Sequence, residues 1–307
     1  DTLRGYFGLR DIRLTRDGFY LNGRRVYGRF VLDQGYYPDG IYTPASPKCL
    51  ENDVLEMKAL GFNTLRKHIK VEHELFYYYC DRHGMIVFQD MVNNGTYSFL
   101  RDTALPTIGV KRRNDTRGSK DYRVFFEQAM VDTVEALYNH PCICYYTIFN
   151  EGWGQIDSQR MYEKMKTLDS TRIIDTASGW FKGADSDVES EHVYFKKVKL
   201  PKTDKPIILS EFGGYAYKVP DHCFNTEKNY GYKFFKEQSD FDDALVKLYE
   251  NEIIPLVKDG LCGAIYTQVS DVEDETNGLL SYDRKVEKLS PEEMLPVAQA
   301  LQKAIEA

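Results

Sequence analysis

An alternation governs what this chain can become. Eight short apolar runs recur along it: Val26–Leu32, Phe62–Arg66, Met85–Gln89, Ile143–Phe149, Arg172–Thr176, Val193–Phe195, Pro206–Ser210 and Cys262–Thr267. Nearly all are separated by amphipathic text of helical length. Helices are expected over Glu51–Leu60, Glu74–His83, Phe125–Tyr138, Ser158–Leu168 and Asp242–Lys258, and a terminal one over Pro291–Ile305. Short apolar runs between helices read as strands covered on both faces, and such units join parallel strands by right-handed crossovers. Eight of them close on themselves, so the predicted fold is α/β, a (β/α)8 TIM barrel. An open doubly wound sheet is the competing architecture, but no GxGxxG follows the first strand to support it.

Residues 1–25 read differently. Tyr6–Leu14 alternates, Arg16-Asp17-Gly18 turns, and Phe19–Arg25 returns with Asn22-Gly23 as a tight-turn pair. We therefore expect a short N-terminal β-hairpin over 1–25, the remnant of or linker from an upstream β-sandwich domain, and the barrel over 26–307. A barrel of this type needs ~250 residues, so 307 residues at 42% hydrophobic content suit one barrel with decorations.

Charge and cysteine usage exclude several classes. The net charge is −7, and the basic clusters Lys111-Arg112-Arg113 and Lys196-Lys197 are short and dispersed, so neither makes the stripe a nucleic acid requires. No apolar run approaches the ~18 residues of a membrane span. Neither nucleic acid nor membrane is an expected partner. The six cysteines form no CxxC pair and no Cys/His cluster of zinc spacing. They read as buried free thiols; of the two bacterial compartments open to such a chain, cytoplasmic or periplasmic, this favours the reducing one, the cytoplasm. Cys142 and Cys144, two apart in an apolar run, are expected on one face.

In a TIM barrel, chemistry gathers at the C-terminal ends of the strands. The residues ending each run are Asp33 and Gln34, Arg66 and His68, Gln89 and Asp90, Asn150 and Glu151, Ser178 and Trp180, Tyr194, Glu211, then Gln268 and Asp271. Burying so much charge costs several kcal/mol unless it is compensated, so an idle barrel end has no reason to carry it. Two carboxylates directly follow apolar runs, Glu151 in Ile-Phe-Asn-Glu-Gly-Trp-Gly and Glu211 in Ile-Ile-Leu-Ser-Glu-Phe-Gly-Gly. Glycoside hydrolysis needs such a pair, one carboxyl protonated to assist the leaving oxygen and one ionised to attack the anomeric carbon. The acidic run Asp271, Glu273, Asp274 and Glu275 could instead ligate a metal, but it reads as a solvated or hydrogen-bonded loop. No metal and no cofactor is expected.

These landmarks resemble glycoside hydrolase family 2, the β-galactosidase, β-glucuronidase and β-mannosidase family. The resemblance is carried in order by Leu32-Asp33-Gln34-Gly35-Tyr36-Tyr37-Pro38-Asp39-Gly40, Gly61-Phe62-Asn63-Thr64-Leu65-Arg66, Cys80-Asp81-Arg82-His83-Gly84-Met85-Ile86-Val87, Asn150-Glu151, Ser210-Glu211-Phe212-Gly213, and Asp271-Val272-Glu273-Asp274-Glu275-Thr276-Asn277-Gly278-Leu279. It implies a retaining exo-β-glycosidase, β-galactosidase-like, with a glycoside or oligosaccharide substrate. It implies Glu151 as general acid/base and Glu211 as nucleophile. Asn150 would meet the sugar 2-hydroxyl, Arg66 would steady the charge of the nucleophile, and Tyr194 would hydrogen-bond it. Asp33, Gln34, His68, Asp90, Trp180 and Gln268 complete the candidate substrate site.

Three departures stand out. His68 follows Arg66 by two residues, where the β-galactosidase branch has three. The strand-8 run reads Tyr266-Thr267-Gln268 where the family often has a tryptophan, so Trp180 or Trp153 would supply the stacking face. The contiguous Asn-x-Lys that β-glucuronidases use for the sugar carboxylate is absent, which argues against a glucuronidase. Two alternatives stand beside this expectation: a carbohydrate-binding barrel without catalysis, and a family 2 enzyme of other sugar specificity, β-glucuronidase or β-mannosidase.

Overall fold

The computed structural model describes residue 2 and residues 5–95, 98, 100–108, 110 and 119–306. The basic cluster Lys111-Arg112-Arg113 lies outside the described residues.

Eight parallel strands form one sheet: β4 (Gly28–Asp33), β5 (Thr64–Lys67), β6 (Ile86–Asp90), β7 (Ile143–Asn150), β8 (Ile173–Ser178), β9 (Glu189–Val193), β10 (Ile207–Gly213) and β13 (Leu261–Thr267). Their order, β8-β7-β6-β5-β4-β13-β10-β9, is that of a barrel opened at one seam. The seam between β8 and β9 is bridged by Asp187 N to the Ile174 carbonyl at 2.9 Å and by Ser190 Oγ to the Ala177 carbonyl at 3.5 Å. The fold is the expected TIM barrel. Every residue of β5, β6, β7, β10 and β13 is buried, as expected where one face meets the barrel interior and the other a helix.

Helices α1 (Pro47–Ala59), α2 (Glu74–His83), α3 (Leu105–Thr107), α4 (Lys120–Leu137), α5 (Ser158–Leu168), α6 (Gln238–Leu248), α7 (Ile254–Val257) and α8 (Pro291–Ala304) surround it. Local chemistry sets their ends. Gly84, left-handed at φ 68°, closes α2 and donates to the Cys80 carbonyl. Ser290 caps α8 by accepting from Glu293 N. The single helix expected over Asp242–Lys258 is instead two, α6 and α7, joined by a π-turn at Tyr249–Ile253. Pro255 lacks the N–H that would continue the α-helical ladder.

The N-terminal segment is a three-stranded antiparallel sheet, β1 (Ile12–Thr15), β2 (Gly18–Leu21) and β3 (Arg24–Val26). The alternation of Tyr6–Leu14 becomes strand only from Ile12. Before it, Arg10 binds the carbonyls of Pro141 (2.5 Å) and Ile143 (2.6 Å) rather than a partner strand. The sheet plugs the lower mouth of the barrel. Phe19 meets Phe30 and Phe88 edge-on, and Phe88 stacks on Tyr145 at 4.0 Å. Gly28 and Gly263 make room for that layer, since a Cβ on either would lie within 2.4 Å of the Phe30 ring. Two short strands, β11 (Tyr215–Tyr217) and β12 (Lys233–Phe235), pair beside the upper rim.

The thiols depart from expectation in two ways. Cys142 and Cys144 sit in different clusters, the first between sheet and helices and the second inside the barrel. Cys142 precedes the start of β7, and the β6–β7 register shifts just beyond it, so the two-residue period does not reach back to it. All six cysteines are free, but Cys49 and Cys223 are only half-buried. Among the described residues no helix is long and apolar enough to cross a membrane.

Candidate active site

The upper interior is built around Arg66, on β5 and 1% exposed. Its Nε and Nη2 grip Asp90 at 3.0 Å each, and Nη1 reaches Glu211 Oε1 at 3.1 Å and the Ser210 carbonyl at 3.0 Å. Nη2 also donates to Asn150 Oδ1 at 2.8 Å. Because a guanidinium only donates, this contact fixes the Asn150 amide and turns its Nδ2 toward the cavity. Asp175, buried nearby, adds a third carboxylate to the field of Arg66. Burial outweighs the stabilising hydrogen bonds and the arginine there, and lifts its carboxyl to about 6. The second oxygen of Glu211, Oε2, accepts from the Tyr194 hydroxyl.

Glu151 faces this group from the end of β7. The chain turns there through two left-handed residues, Glu151 at φ 52° and Gly152 at φ 74°. A non-glycine residue so placed is strained, a state that persists only where the surroundings enforce it. A Cβ on Gly152 would collide with Phe181 at 2.3 Å, so the second residue has to be glycine. Burial raises the Glu151 carboxyl to about 7, against the smaller pull of His68 and Arg66.

His192, on β9, joins the two carboxylates. Nδ1 lies 2.9 Å from Glu151 Oε1 and 3.6 Å from Glu211 Oε2, while Nε2 lies 3.0 Å from Ser178 Oγ. Burial holds the imidazole down at about 4, so the ring is neutral. The hydroxyls fix its tautomer. Ser210 Oγ donates to the Glu191 carbonyl (3.2 Å) and Ser178 Oγ donates to Ser210 Oγ (2.9 Å). Ser178 is then the acceptor for Nε2–H, which leaves Nδ1 as a lone pair facing Glu151. The partner such a lone pair requires is a protonated carboxyl.

Glu151, His192 and Glu211 bring side-chain ligand atoms within 4.8 Å of one another, the one set among the described residues spaced to hold a metal ion. A metal would have to displace the Tyr194 hydroxyl from Glu211 and the His192–Glu151 contact. The acidic run does not converge as a ligand set. Asp271 pairs with Lys288 (2.5 Å), Asp274 accepts from Asn225 (2.8 Å), and Glu275 accepts from Gln268 (2.7 Å).

These groups floor a cavity of about 590 Å³. Asn150, Glu151, Glu211 and Tyr194 line it, and so do Gln34, His68, Trp153 and Trp180. Gln268 stands behind Glu275 and Asn277, which do line it. Asp33 is elsewhere, in an ion pair with Lys67 at 2.7 Å. Asp90 lies beneath the cavity, held by Arg66 and by His68 Nδ1 at 3.1 Å. Sequence reasoning missed His192, Asp175, Tyr232 and Asn277. Tyr232 stacks on Tyr194 at 3.8 Å and comes from a loop without periodicity. For His192 a signal existed: it precedes Tyr194 by two, the spacing that puts both side chains on one face of a strand.

Residues 12–288 match the family model described as glycosyl hydrolases family 2, TIM barrel domain. The chain belongs to glycoside hydrolase family 2. Among curated relatives, a β-galactosidase of Priestia megaterium is 25% identical over 235 residues, which cover 72% of this chain and 21% of that protein. A β-galactosidase of Yersinia pseudotuberculosis is 24% identical over 233 residues, covering 68% and 21%. The chain thus spans about a fifth of the length of these curated relatives. Among solved structures, a family 2 β-galacturonidase from Eisenbergiella tayi bound to galacturonate superposes with a TM-score of 0.67 at 18% identity, over 97% of this chain and 55% of that one. A β-D-glucuronidase of Dictyoglomus thermophilum does so at 0.68 and 16%, over 98% and 54%. Both likenesses are likenesses of fold.

Proposed function

We propose that this family 2 barrel is the catalytic domain of a retaining exo-β-glycosidase, β-galactosidase-like, that removes terminal β-linked sugars by double displacement. One observation carries the reading. Two strand-end carboxylates face each other with oxygens within 4.8 Å, yet their surroundings differ in kind. Retaining enzymes hold their carboxyls ~5–5.5 Å apart, whereas inverting enzymes leave room for a water between them. Glu211, paired with Arg66 and Tyr194, is the carboxylate kept ionised for attack on the anomeric carbon. Glu151, raised to about 7 and facing the His192 lone pair, is the carboxyl kept protonated for the leaving oxygen. After the glycosyl–Glu211 ester forms, the Glu151 carboxylate takes a proton from water, and that water attacks the same carbon to release the sugar. Asn150, its Oδ1 held by Arg66, would hydrogen-bond the 2-hydroxyl through Nδ2.

The relatives' greater length supports the further proposal that residues 26–307 act beside upstream β-sandwich domains of the same polypeptide, with residues 1–25 as the connection. If this chain and a longer polypeptide containing it showed equal kcat/KM, that dependence would be wrong. Proton NMR of the first product tests the mechanism. The β-anomer is expected to appear first and mutarotate afterwards; initial release of the α-anomer would mean inversion and would refute the assignment of Glu211.

A further inference from the structure

The wall opposite the acid/base bears a carboxylate that the proposed chemistry does not use. Around the barrel β13 lies four strands from β7 in either direction, so the segment after β13 faces Asn150 and Glu151 across the cavity. A sugar with its C1–C2 edge at β7 presents its far edge there, with the remaining hydroxyls and the substituent on C5. The far wall carries Glu275 and Asn277.

An amide network sets their polarity. Glu275 Oε2 accepts from Gln268 Nε2 at 2.7 Å and from Gln34 Nε2 at 3.4 Å. A carboxylate oxygen that accepts twice forces both amides to present nitrogen. Gln268 Oε1 is then turned to Gln34, whose Nε2 donates to it at 2.8 Å, and Gln268 Nε2 also donates to Asn277 Oδ1 at 2.8 Å. Asn277, 1% exposed, is left with Nδ2 as a buried donor that has no partner among the described residues. Both amide contacts of Glu275 fall on Oε2, so Oε1 remains an open acceptor. No cation pairs with Glu275 among the described residues; His68 acts on it only at a distance, and Lys196, the lysine of the cavity, is exposed at the rim.

We propose that Glu275 and Asn277 together read a neutral hydroxyl of the bound sugar, and that Glu275 bars uronic acids from the site. The inference rests on the glycosidase reading above and names its substrate class. A hydroxyl satisfies both atoms at once, donating to Glu275 Oε1 and accepting from Asn277 Nδ2–H. A uronate carboxylate offers only acceptors, so it would satisfy Asn277 alone and lie against Glu275. Two like charges ~6 Å apart at an effective dielectric near 20 repel by an energy worth about a hundredfold in rate.

The test uses two pairs of 4-nitrophenyl glycosides differing only at C6, β-galactoside against β-galacturonide and β-glucoside against β-glucuronide. In the favoured pair kcat/KM for the neutral sugar should exceed that for the uronide by about 100-fold. The isosteric Glu275→Gln should lower kcat/KM for the neutral sugar by about 10- to 100-fold and shrink the neutral-to-uronide ratio toward unity. Asn277→Asp should weaken the neutral sugar as well, while widening the ratio. A uronide preferred by the unmodified protein, or a ratio that Glu275→Gln leaves unchanged, would overturn the inference and leave the glycosidase reading standing. Turnover of no member of either pair, by this chain or by a longer polypeptide that contains it, would remove both.

Discussion

The two halves of the barrel interior are built on opposite terms. The lower half is hydrocarbon and aromatic: Phe30, Phe88, Tyr145, Ile208 and Ile265 fill it, with Phe19 as the plug beneath. The upper half holds Arg66, Asp90, Asp175 and Glu211, all at most 5% exposed. Below, burial is favourable in itself, at ~25 cal/mol per Å² of apolar surface. Above, each buried charge is a cost that only its neighbours offset. The lower half holds the strands in register, and on the reading proposed above the upper half uses two carboxyls in different roles. The same desolvation that would harm a core lifts Glu151 to about 7.

If this division is right, substitutions above should cost catalysis and substitutions below should cost stability. The largest effect is expected at Glu211→Gln, a loss of roughly 10⁴- to 10⁶-fold in kcat measured with an activated β-glycoside. Its melting temperature should hold or rise, because one buried charge is gone. Glu151→Gln should lose about 10²- to 10⁴-fold. The loss should be greatest for poor leaving groups, since these depend on the donated proton. With Glu151 as the proposed acid, kcat/KM of the unmodified protein should hold below and fall as pH rises through about 7; in Glu151→Gln that limb should vanish from the pH–rate profile. Phe30→Ala should reverse the pattern, with a loss of about 3–5 kcal/mol in chemical denaturation and kcat within twofold at a temperature where the protein stays folded. A tenfold fall in kcat there would blur the two halves into one.

The smallest effect should be the most diagnostic. His192→Phe removes the acceptor for the Glu151 proton, which favours the ionised form. The alkaline limb should therefore move below about 7, with kcat reduced by about tenfold. A limb moving upward would mean that His192 donates to Glu151, the reverse of the tautomer that Ser178 and Ser210 impose.

How far the sequence reaches obeys the same division. The lower half and the strand order were legible because apolar runs such as Ile143–Phe149 and Pro206–Ser210 have no other use in a folded chain. Glu151 and Glu211 were visible as carboxylates closing such runs. β9 was misplaced, since Glu189–Val193 is a strand whose Ser190 and His192 turn into a polar interior. Its text therefore reads as loop, and the expected run Val193–Phe195 catches only its end. The far wall was hidden for a different reason. Glu275 sits in a run of four acidic residues, and nothing local separates the one facing the cavity from those bound to Lys288 and Asn225. Long-range contacts make that distinction, and they leave no period in the sequence.

The central claim is that Glu211 attacks the sugar. Incubation with activated 2-deoxy-2-fluoro β-glycosides, followed by intact mass and peptide mapping, tests it most directly, because the fluorine slows breakdown of the ester. One added glycosyl unit is expected, on Glu211 and absent from Glu211→Gln. An adduct on another residue, or a folded protein that turns over the parent glycoside yet never gains mass, would contradict it.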